Sequence, residues 1–250
     1  MTELELLIDF HKNALQQGPG SEEETRRAFE LTGLANKKHL KVADIGCGTG
    51  NQTFTLAKLT EGEIVAVDLF PEFLEKLEDR KKVFNPIAQI KTLQAPMDQL
   101  PFEQQEFDLI WSEGAIYNMG FEAGIKAWKK FLKPKGILAV SEITWITPSR
   151  PRELEDFWNQ EYPEIDLASK KIKQLEENGF ILRGYFFLNP ESWEKNYYQP
   201  MEERVPEFLE KHKHSDLAKE IVQYNLEEIA LYRKNKDYFS YGFYIAQKHD

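Results

Sequence analysis

Cysteine is almost absent from this chain of 250 residues, which contains only Cys47. A single cysteine excludes an internal disulfide and a metal site built from several thiolates. The five histidines are scattered, and the closest two, His212 and His214, would point to different faces of a helix. We therefore expect no bound metal. Cys47 has no histidine or basic residue near it in sequence to activate it, which favours a small buried side chain over a nucleophile.

Long apolar runs and an excess of basic charge are also missing. No segment approaches the roughly 20 consecutive apolar residues that span a bilayer, and residues 1–5 lack the basic segment of a signal peptide. These absences predict no membrane span and a cytoplasmic protein. The net charge of −10 disfavours broad binding to nucleic acid, which needs clustered lysine and arginine. The length fits one α/β domain spanning 1–250.

The most informative stretch present is a glycine-rich segment, Asp44-Ile45-Gly46-Cys47-Gly48-Thr49-Gly50, which follows an apolar step. A second apolar run ends in Asp68, 20 positions after Gly48. This spacing predicts a strand, a tight turn, a helix and a second strand. Glycines let the backbone approach a ligand closely, and an acid at the second strand end can accept both ribose hydroxyls. The pattern therefore predicts a nucleotide-cofactor site.

The third glycine distinguishes between cofactors. A dinucleotide fingerprint would need glycine at position 51, where the chain has Asn51, and the third glycine instead comes one residue earlier, at Gly50. The preceding Asp44 would repel a diphosphate but suits a cofactor that carries ammonium and sulfonium charge. With an acid before G-x-G-x-G, the chain resembles the class I S-adenosylmethionine-dependent methyltransferases, including the small-molecule and ubiquinone/menaquinone-biosynthesis-like members.

The resemblance covers roughly the first 150 residues, because three later blocks follow in the family's order: Leu100–Phe102, Phe107–Ser112 and Phe131–Leu138. One departure stands out. Where many metabolite methyltransferases carry one or two histidines, this chain reads Tyr117-Asn118. The departure leaves the fold and cofactor unchanged, but it puts the transfer of a catalytic histidine in doubt.

Hydrophobic periodicity predicts strands alternating with helices and hence a parallel sheet with helices on both faces. The predicted strands are 41–45, 64–68, 90–94, 107–111, 136–142, 180–188 and 238–247; the predicted helices are 3–17, 21–30, 50–59, 71–82, 120–132, 169–178, 201–211 and 215–233. The resemblance implies a Rossmann-like, seven-stranded, mostly parallel sheet with an antiparallel final strand. It also implies a helical insertion between the last two strands.

Three segments make up the predicted domain. Residues 1–35 form an N-terminal helical cap, residues 36–150 the cofactor-binding core, and residues 190–237 the insertion. The insertion is either a cap beside the acceptor pocket or a surface layer or dimer contact. Ser21 with Glu24 reads as a capping box. The turn before it, with Gly20, is either a plain interhelix turn or a segment folded over the cofactor.

The resemblance assigns S-adenosyl-L-methionine as cofactor, with S-adenosyl-L-homocysteine as product. Asp44 would serve the methionyl ammonium, Asp68 the ribose, and Leu69 and Met97 the adenine. Asp98 would accept from the adenine amino group, although a turn cap is the alternative for that residue. The predicted cofactor-binding residues are Asp44, Gly46, Gly48, Gly50, Asp68, Leu69, Met97, Asp98 and Ser112.

Catalytic and acceptor-binding residues are less sharply indicated, because the cofactor supplies the reactive group and the protein mainly aligns the partners. Glu113 and Glu142 end strands at the catalytic edge, where each could accept a proton or anchor an amine, unless they are merely solvated or capping acids. The catalytic candidates are Glu113 and Tyr117; the acceptor-binding candidates are Gly20, Asn118, Glu142, Trp145 and Tyr197.

These observations predict transfer of a methyl group to a small-molecule acceptor, by a monomer or homodimer that is unlikely to bind nucleic acid. Methylation of RNA or protein is the alternative within enzymes. A noncatalytic S-adenosylmethionine-binding partner protein is the alternative from another class. A nicotinamide oxidoreductase is disfavoured by Asn51.

Overall fold

The computed structural model describes residues 1–84 and 87–250. Its core is a sheet of seven strands, with an eighth strand of two residues, β6, attached to β5. The strands are β1 Leu40–Ile45, β2 Gly62–Asp68, β3 Gln89–Gln94, β4 Phe107–Glu113, β5 Leu132–Trp145, β6 Asp166–Leu167, β7 Phe180–Phe187 and β8 Phe239–Lys248. Their order in the sheet is β3-β2-β1-β4-β5-β8-β7.

Strand direction matches the predicted fold. The pairs β1–β2, β2–β3, β1–β4 and β4–β5 are parallel, whereas β8 runs antiparallel to both β5 and β7. The chain moves outward from β1 through β2 to β3 and then returns to β4 on the other side of β1. This reversal of direction creates a crevice at the carboxyl ends of β1 and β4, where open α/β sheets bind their ligands. The Rossmann-like, mostly parallel sheet with an antiparallel final strand is confirmed.

Helices cover both faces of the sheet. They are α1 Glu3–His11, α2 Glu22–Leu31, α3 Asn51–Leu59, α4 Pro71–Val83, α5 Phe121–Lys129, α6 Arg152–Glu161, α7 Ala168–Glu177, α8 Pro190–Trp193, α9 Gln199–Lys211 and α10 Asp216–Asn235. Alternate residues of each strand point to opposite faces. Thus Val42 packs with α2, α3 and α4 in one cluster, and its neighbour Ala43 packs with α5 and α7 in the other.

A third hydrophobic cluster lies at the carboxyl end of β5 and the amino end of β8, which are adjacent because the two strands are antiparallel. It joins α1 to the helices inserted between β7 and β8, with Phe10 against Phe208 and Trp193 stacked on Tyr232 at a centroid distance of 4.7 Å. An ionic contact reinforces this junction: Asp9 of α1 accepts hydrogen bonds from Lys211 and His212 at the end of α9. The N-terminal helix and the insertion therefore form one layer.

Several element boundaries differ from the predicted ones. The first helix ends at His11 instead of residue 17, because the carbonyls of Ala14 and Leu15 accept hydrogen bonds from Thr49 Oγ1 and so leave the helical path. The predicted helix 120–132 ends at Lys129, and β5 begins at Leu132 and continues to Trp145. Pairing with β8 over residues 137–145 extends β5 beyond what its apolar run indicated. Helix α6 carried no predicted element.

The capping box is only half formed. Ser21 Oγ accepts a hydrogen bond from the Glu24 backbone N–H, as expected. The Glu24 carboxylate, however, accepts from the Asn189 backbone N–H at 2.5 Å and from Ser192 Oγ at 2.6 Å. Its partners in the insertion make it a tertiary contact between α2 and α8, which local spacing does not reveal.

Within residues 1–84 and 87–250, no helix is long and apolar enough to cross a membrane.

Candidate functional site

The glycine-rich turn after β1 is held against the end of β2. The backbone N–H groups of Gly46 and Cys47 both donate to the Val67 carbonyl, at 2.8 and 2.9 Å. Gly46 has a φ of +75°, and a Cβ built on it would lie 2.4 Å from the Ala115 Cβ. Only glycine satisfies both the left-handed backbone and the close approach of the neighbouring loop. The turn therefore leaves a smooth backbone surface at the crevice.

Asp68 occupies the end of β2 directly beside that turn. Its Oδ2 accepts a hydrogen bond from the Gly48 N–H at 2.8 Å, and its Oδ1 accepts from the Phe70 N–H at 3.0 Å. Burial raises the pKa of Asp68, while these backbone hydrogen bonds act in the opposite direction. A carboxylate has about four lone-pair positions, so two remain for hydroxyl donors. Asp68 is thus a pre-oriented acceptor pair on the wall of a cleft.

A cavity of about 800 Å³ opens at this edge of the sheet. Most of the predicted site residues line it: Gly20, Gly46, Gly48, Asp68, Leu69, Met97, Asp98, Glu113, Tyr117, Asn118 and Tyr197. Five predicted residues do not line it: Asp44, Gly50, Ser112, Glu142 and Trp145. The structure therefore brings together residues from β1, β2, β4, the N-terminal region and the insertion.

One end of the cavity has the character of a purine-binding wall. Leu69, Phe70 and Met97 contribute apolar surface there, and the loop that carries Met97 is anchored by a hydrogen bond from Trp128 Nε1 to its carbonyl at 2.9 Å. Asp98 is exposed at the rim. An apolar slot with one carboxylate at its edge is suited to a base that presents an amino group.

Asp44 lies behind the cavity and is fully buried. Its Oδ2 accepts from Thr53 Oγ1 at 2.5 Å, and Gln52 Nε2 is 3.5 Å from Oδ1. Burial raises the pKa of Asp44 to about 7. The carboxyl group ties the strand to the first turn of α3 and does not reach the cavity surface, so a direct contact with a ligand ammonium stays a prediction without a geometric basis.

Gly50 and Ser112 also have structural positions away from the cavity surface. Gly50 caps the start of α3 with a φ of +86°, and a Cβ there would lie 2.7 Å from the Leu77 side chain. Ser112 is fully buried, and its Oγ has no hydrogen-bond partner among the residues that the structure describes. Any ligand contact from Ser112 would come from its backbone.

Residues 12–20, which we call the N-terminal strap, form a wall of the cavity that sequence reasoning largely missed. Gln17 Oε1 accepts from the Thr49 N–H at 2.9 Å, and Gln16 Oε1 accepts from Asn51 Nδ2 at 2.6 Å. Arg80 of α4 donates to the carbonyls of Leu15 and Thr49. The glycine and proline residues at positions 18–20 predicted a turn. Nothing in the local sequence indicated that Gln17 and Gln16 accept hydrogen bonds from Thr49 and Asn51.

Glu113 ends β4 and lies beside the last residue of the strap, Gly20. Its Oε1 accepts two hydrogen bonds of 2.8 Å, from Thr25 Oγ1 and from Trp111 Nε1. Its Oε2 lies 3.3 Å from the position of a Cβ built on Gly20. Burial raises the pKa of Glu113 to about 8, although the two donors oppose the shift. The carboxyl is therefore rigidly held and able to exchange a proton near neutral pH.

Two tyrosines and an asparagine complete this end. Asn118 is fixed by a hydrogen bond from its Nδ2 to the Ala115 carbonyl at 2.9 Å. Tyr117 packs edge-on against Tyr162 at a centroid distance of 6.0 Å. Tyr197 belongs to a π-helical turn, Glu194–Tyr198, at the start of the insertion. Such turns change the direction of side chains and are frequent at functional sites.

Glu142 and Trp145 lie inside the protein, because β5 continues past the point where the sequence suggested it would end. Glu142 is 1% exposed and lies 3.3 Å from the Nζ of the equally buried Lys171. Trp145 is 2% exposed and packs in the third hydrophobic cluster. Strand position alone placed both residues at the catalytic edge, whereas pairing with β8 encloses them. The predicted acceptor contacts of these residues have no support in this placement.

Comparisons with known proteins agree with the fold. The family described as a methyltransferase domain matches residues 42–136. The tRNA U34 carboxymethyltransferase of Saccharophagus degradans is 27% identical over 114 residues, which are 45% of this chain and 35% of that protein. The ubiquinone/menaquinone biosynthesis C-methyltransferase UbiE of Idiomarina loihiensis is 25% identical over 137 residues, 54% of each chain. This chain thus spans between about a third and a half of those two relatives.

A solved structure extends the likeness of fold to the whole chain. It is that of a SAM-dependent methyltransferase from Geobacter sulfurreducens in complex with S-adenosyl-L-homocysteine. The TM-score is 0.83 with 97% of each chain covered, at 14% sequence identity. At this identity the likeness concerns the fold alone.

Proposed function

The chain belongs to the class I S-adenosylmethionine-dependent methyltransferases, and from this premise we propose that it transfers a methyl group from S-adenosylmethionine to a small-molecule acceptor. The observation that carries the proposal is the Asp68 carboxylate, which two backbone N–H groups orient beside the glycine-rich turn on the wall of the cavity. Glu113, Tyr117 and Tyr197 line the same cavity.

The residues present fit S-adenosylmethionine. The glycine-rich turn offers close backbone approach, because a Cβ at Gly46 or Gly48 would clash with neighbouring atoms. Asp68 would hold the ribose hydroxyls, with Leu69 and Met97 against the adenine and Asp98 near its amino group. The acid at the rim and the absence of a further glycine at position 51 disfavour a diphosphate.

S-adenosylmethionine supplies a methyl group on a sulfonium sulfur, which departs as a neutral thioether when a nucleophile attacks. The protein's contribution is alignment and exclusion of water. The N-terminal strap and α1 would cover the cofactor, and Tyr197 would bring the insertion over the acceptor. Glu113 would take a proton from the acceptor, and Tyr117, Asn118 and Gly20 would shape the space beside it.

Two features favour a small acceptor over a macromolecule. The cavity lies beneath α1 and the strap, whose residues Leu4, Leu7 and Gln17 line it, so an acceptor must enter between elements of the protein itself. The net charge of −10 opposes association with a polyanion. The relative named as a tRNA carboxymethyltransferase keeps RNA as the alternative acceptor. A noncatalytic role stays the alternative from another class, and a monomeric or homodimeric state and a cytoplasmic location stay predictions.

Binding of S-adenosylhomocysteine by calorimetry tests the cofactor site. Each hydrogen bond to a charged group contributes about 1.5–3 kcal/mol, so Asp68→Asn, which keeps the shape of the side chain, should weaken binding about 10- to 100-fold. Asp79→Asn, on the exposed face of α4, is the matched control and should bind as the parent does. Unchanged affinity of Asp68→Asn for S-adenosylhomocysteine would refute the placement of the ribose beside Asp68.

The acceptor class is tested with labelled S-adenosylmethionine and fractionated cell extract. We expect label in the small-molecule fraction. Label confined to RNA or protein would refute the small-molecule proposal. Binding of the cofactor without any transfer of label would favour a noncatalytic role.

A further inference from the structure

The charges that line the cavity are almost all acidic. Asp68, Asp98 and Glu113 are its carboxylates, and no lysine or arginine of residues 1–84 and 87–250 lines it. Among the residues that the structure describes, His11 is the one basic side chain on the wall, and burial lowers its pKa to about 4. Its imidazole is therefore neutral at physiological pH. An anionic acceptor would meet no counter-charge on the cavity surface, whereas a cationic one would.

Glu113 ends β4, whereas the other two carboxyls, Asp68 and Asp98, are sequence neighbours of the adenine-wall residues Leu69 and Met97. Asp68 already receives two backbone hydrogen bonds and Asp98 lies exposed at the rim. In Glu113 the two oxygens differ. Oε1 is occupied by Thr25 and Trp111, and Oε2, beside Gly20, has no hydrogen-bond partner among the residues that the structure describes. One oxygen is thus fixed as an anchor and the other is available to a donor.

Aromatic rings line the same cavity as this oxygen. They are those of Tyr117 and Tyr197. Both hydroxyls are protonated at pH 7, because an ordinary tyrosine has a pKa of about 10 and burial raises the pKa of both. Neutral tyrosine faces attract alkylammonium groups. A carboxylate and two tyrosine rings in one cavity form a recognition set for an amine.

We propose, on the basis of the function proposed above, that the acceptor carries an aliphatic amine, which enters as an ammonium ion and is bound by Glu113 Oε2 between Tyr117 and Tyr197. The ammonium gives one proton to Oε2, and its nitrogen then has a free electron pair. That pair forms the new bond to the methyl carbon while the carbon–sulfur bonding pair stays on sulfur. The product is a methylated ammonium with a neutral Glu113 carboxylic acid, so protons and charge balance.

The raised pKa of Glu113 makes this proton transfer easier. An ordinary alkylammonium has a pKa of about 10.4, and an ordinary glutamic acid is about 6 units below it. With the pKa of Glu113 at about 8, the difference between the pKa of the ammonium and that of the carboxyl narrows to about 2. Asp44 on β1 and Glu24 on α2 are the charged groups that add to the effect of burial. At pH 7 a carboxyl of this pKa is mostly protonated, so Glu113 releases its proton to solvent when the ammonium pairs with it. It then receives one proton from the ammonium and releases that proton to solvent after the transfer.

One competing cation is Arg204 of α9. Its guanidinium lies over the Phe10 ring at 5.7 Å, between α9 and α1, and Arg204 does not line the cavity. Its Nε and one terminal nitrogen are buried without a partner among the described residues. If the cavity widened toward α9, this arginine would favour an anionic acceptor. A probe with a carboxylate therefore belongs in the test.

The test compares three probes of one shape on the full chain with saturating S-adenosylhomocysteine: 2-phenylethylamine, 2-phenylethanol and phenylacetate. Calorimetry at pH 7 should show the amine binding at least tenfold more tightly than either of the others. Glu113→Gln, which keeps the shape of the side chain, should abolish that preference. Glu207→Gln, on the exposed surface of α9, should retain it.

Affinity for S-adenosylhomocysteine separates this inference from the function on which it rests. Loss of that affinity in the parent chain would refute the proposed function itself. If the parent binds S-adenosylhomocysteine but shows no preference for the amine, or prefers phenylacetate, the amine inference is overturned alone. A Glu113→Gln variant that binds S-adenosylhomocysteine as weakly as Asp68→Asn would assign Glu113 to the cofactor's own ammonium and would equally overturn it.

Discussion

Replacing Gly48 with alanine should break one hydrogen bond between the N-terminal strap and the glycine-rich turn, that of Gln17 with Thr49. A Cβ at Gly48 would lie 2.0 Å from Gln17 Oε1, which is the atom that accepts the Thr49 N–H at 2.9 Å. Because Gln17 is long and flexible, it would swing away instead of forcing the backbone apart. The added methyl group therefore removes one tertiary hydrogen bond, the one between Gln17 and Thr49.

The expected cost has two parts. Gly48 has a φ of +54°, and a residue with a Cβ in the left-handed region costs about 1–2 kcal/mol. Loss of the hydrogen bond between Gln17 and Thr49 adds about 1 kcal/mol. Gly48→Ala should thus lower the free energy of unfolding by about 2–3 kcal/mol. Gly18→Ala is the matched control, because no atom lies within 4 Å of a Cβ there; it should change the free energy of unfolding by about 0.5 kcal/mol or less.

A double-mutant cycle with Gln17→Ala isolates the clash. Gln17→Ala alone should cost about 1 kcal/mol, and the double variant should cost no more than Gly48→Ala, since the same hydrogen bond is lost only once. Urea unfolding measures all four proteins. Limited trypsin digestion at Lys12 should speed up in Gly48→Ala but not in Gly18→Ala. Additive costs in the cycle, or equal effects of the two glycine substitutions, would refute the reasoning.

Two further predictions concern the buried ionic contacts. Burial alone would raise the pKa of Asp9, but hydrogen bonds from Lys12, Lys211 and His212 hold it well below its usual range. Asp9→Asn should therefore lower the free energy of unfolding, measured in urea, by about 2 kcal/mol at pH 7. Because the parent loses this stabilisation as Asp9 is protonated, the difference between the two proteins should shrink as the pH falls below about 4. A constant difference down to pH 3 would contradict this ionic role. Lys171→Met should cost about 3 kcal/mol at pH 8, because it leaves Glu142, whose pKa burial raises to about 7, without its cation. Adding Glu142→Gln should restore most of that loss in the same assay; no recovery would show that Lys171 acts through packing.

Local sequence was a good guide to the cofactor half of the molecule. The strand, glycine turn and second strand occupy consecutive positions, and their geometry follows from backbone preferences within some 25 residues, Asp44 to Asp68. The predicted strands and most of the predicted helices accordingly appear close to their expected bounds. The sheet order also follows, since short connections between alternating helices and strands allow few topologies.

Strand position was a weaker guide to which side chains reach the cavity. Asp44 and Glu113 are both acids near the carboxyl end of a parallel strand, yet only Glu113 lines the cavity. The difference arises from Thr53 in the first turn of α3, whose hydroxyl donates a hydrogen bond to the Asp44 carboxylate. Glu142 likewise depends on a partner, Lys171, that is 29 residues away. Such contacts join distant segments and leave no periodic signal.

What the sequence by itself determined is the mostly parallel sheet and the location of the glycine-rich turn at its carboxyl edge, because hydrophobic period, glycine conformation and strand-end placement are local properties of the chain. What only the tertiary structure decided is the acceptor end of the cavity. There the strap, the segment with Glu113 and Tyr117, and Tyr197 of the insertion come from three separate parts of the chain. Their chemistry is set by burial and by partners such as Thr25 and Trp111, and burial exists only once those parts are packed together.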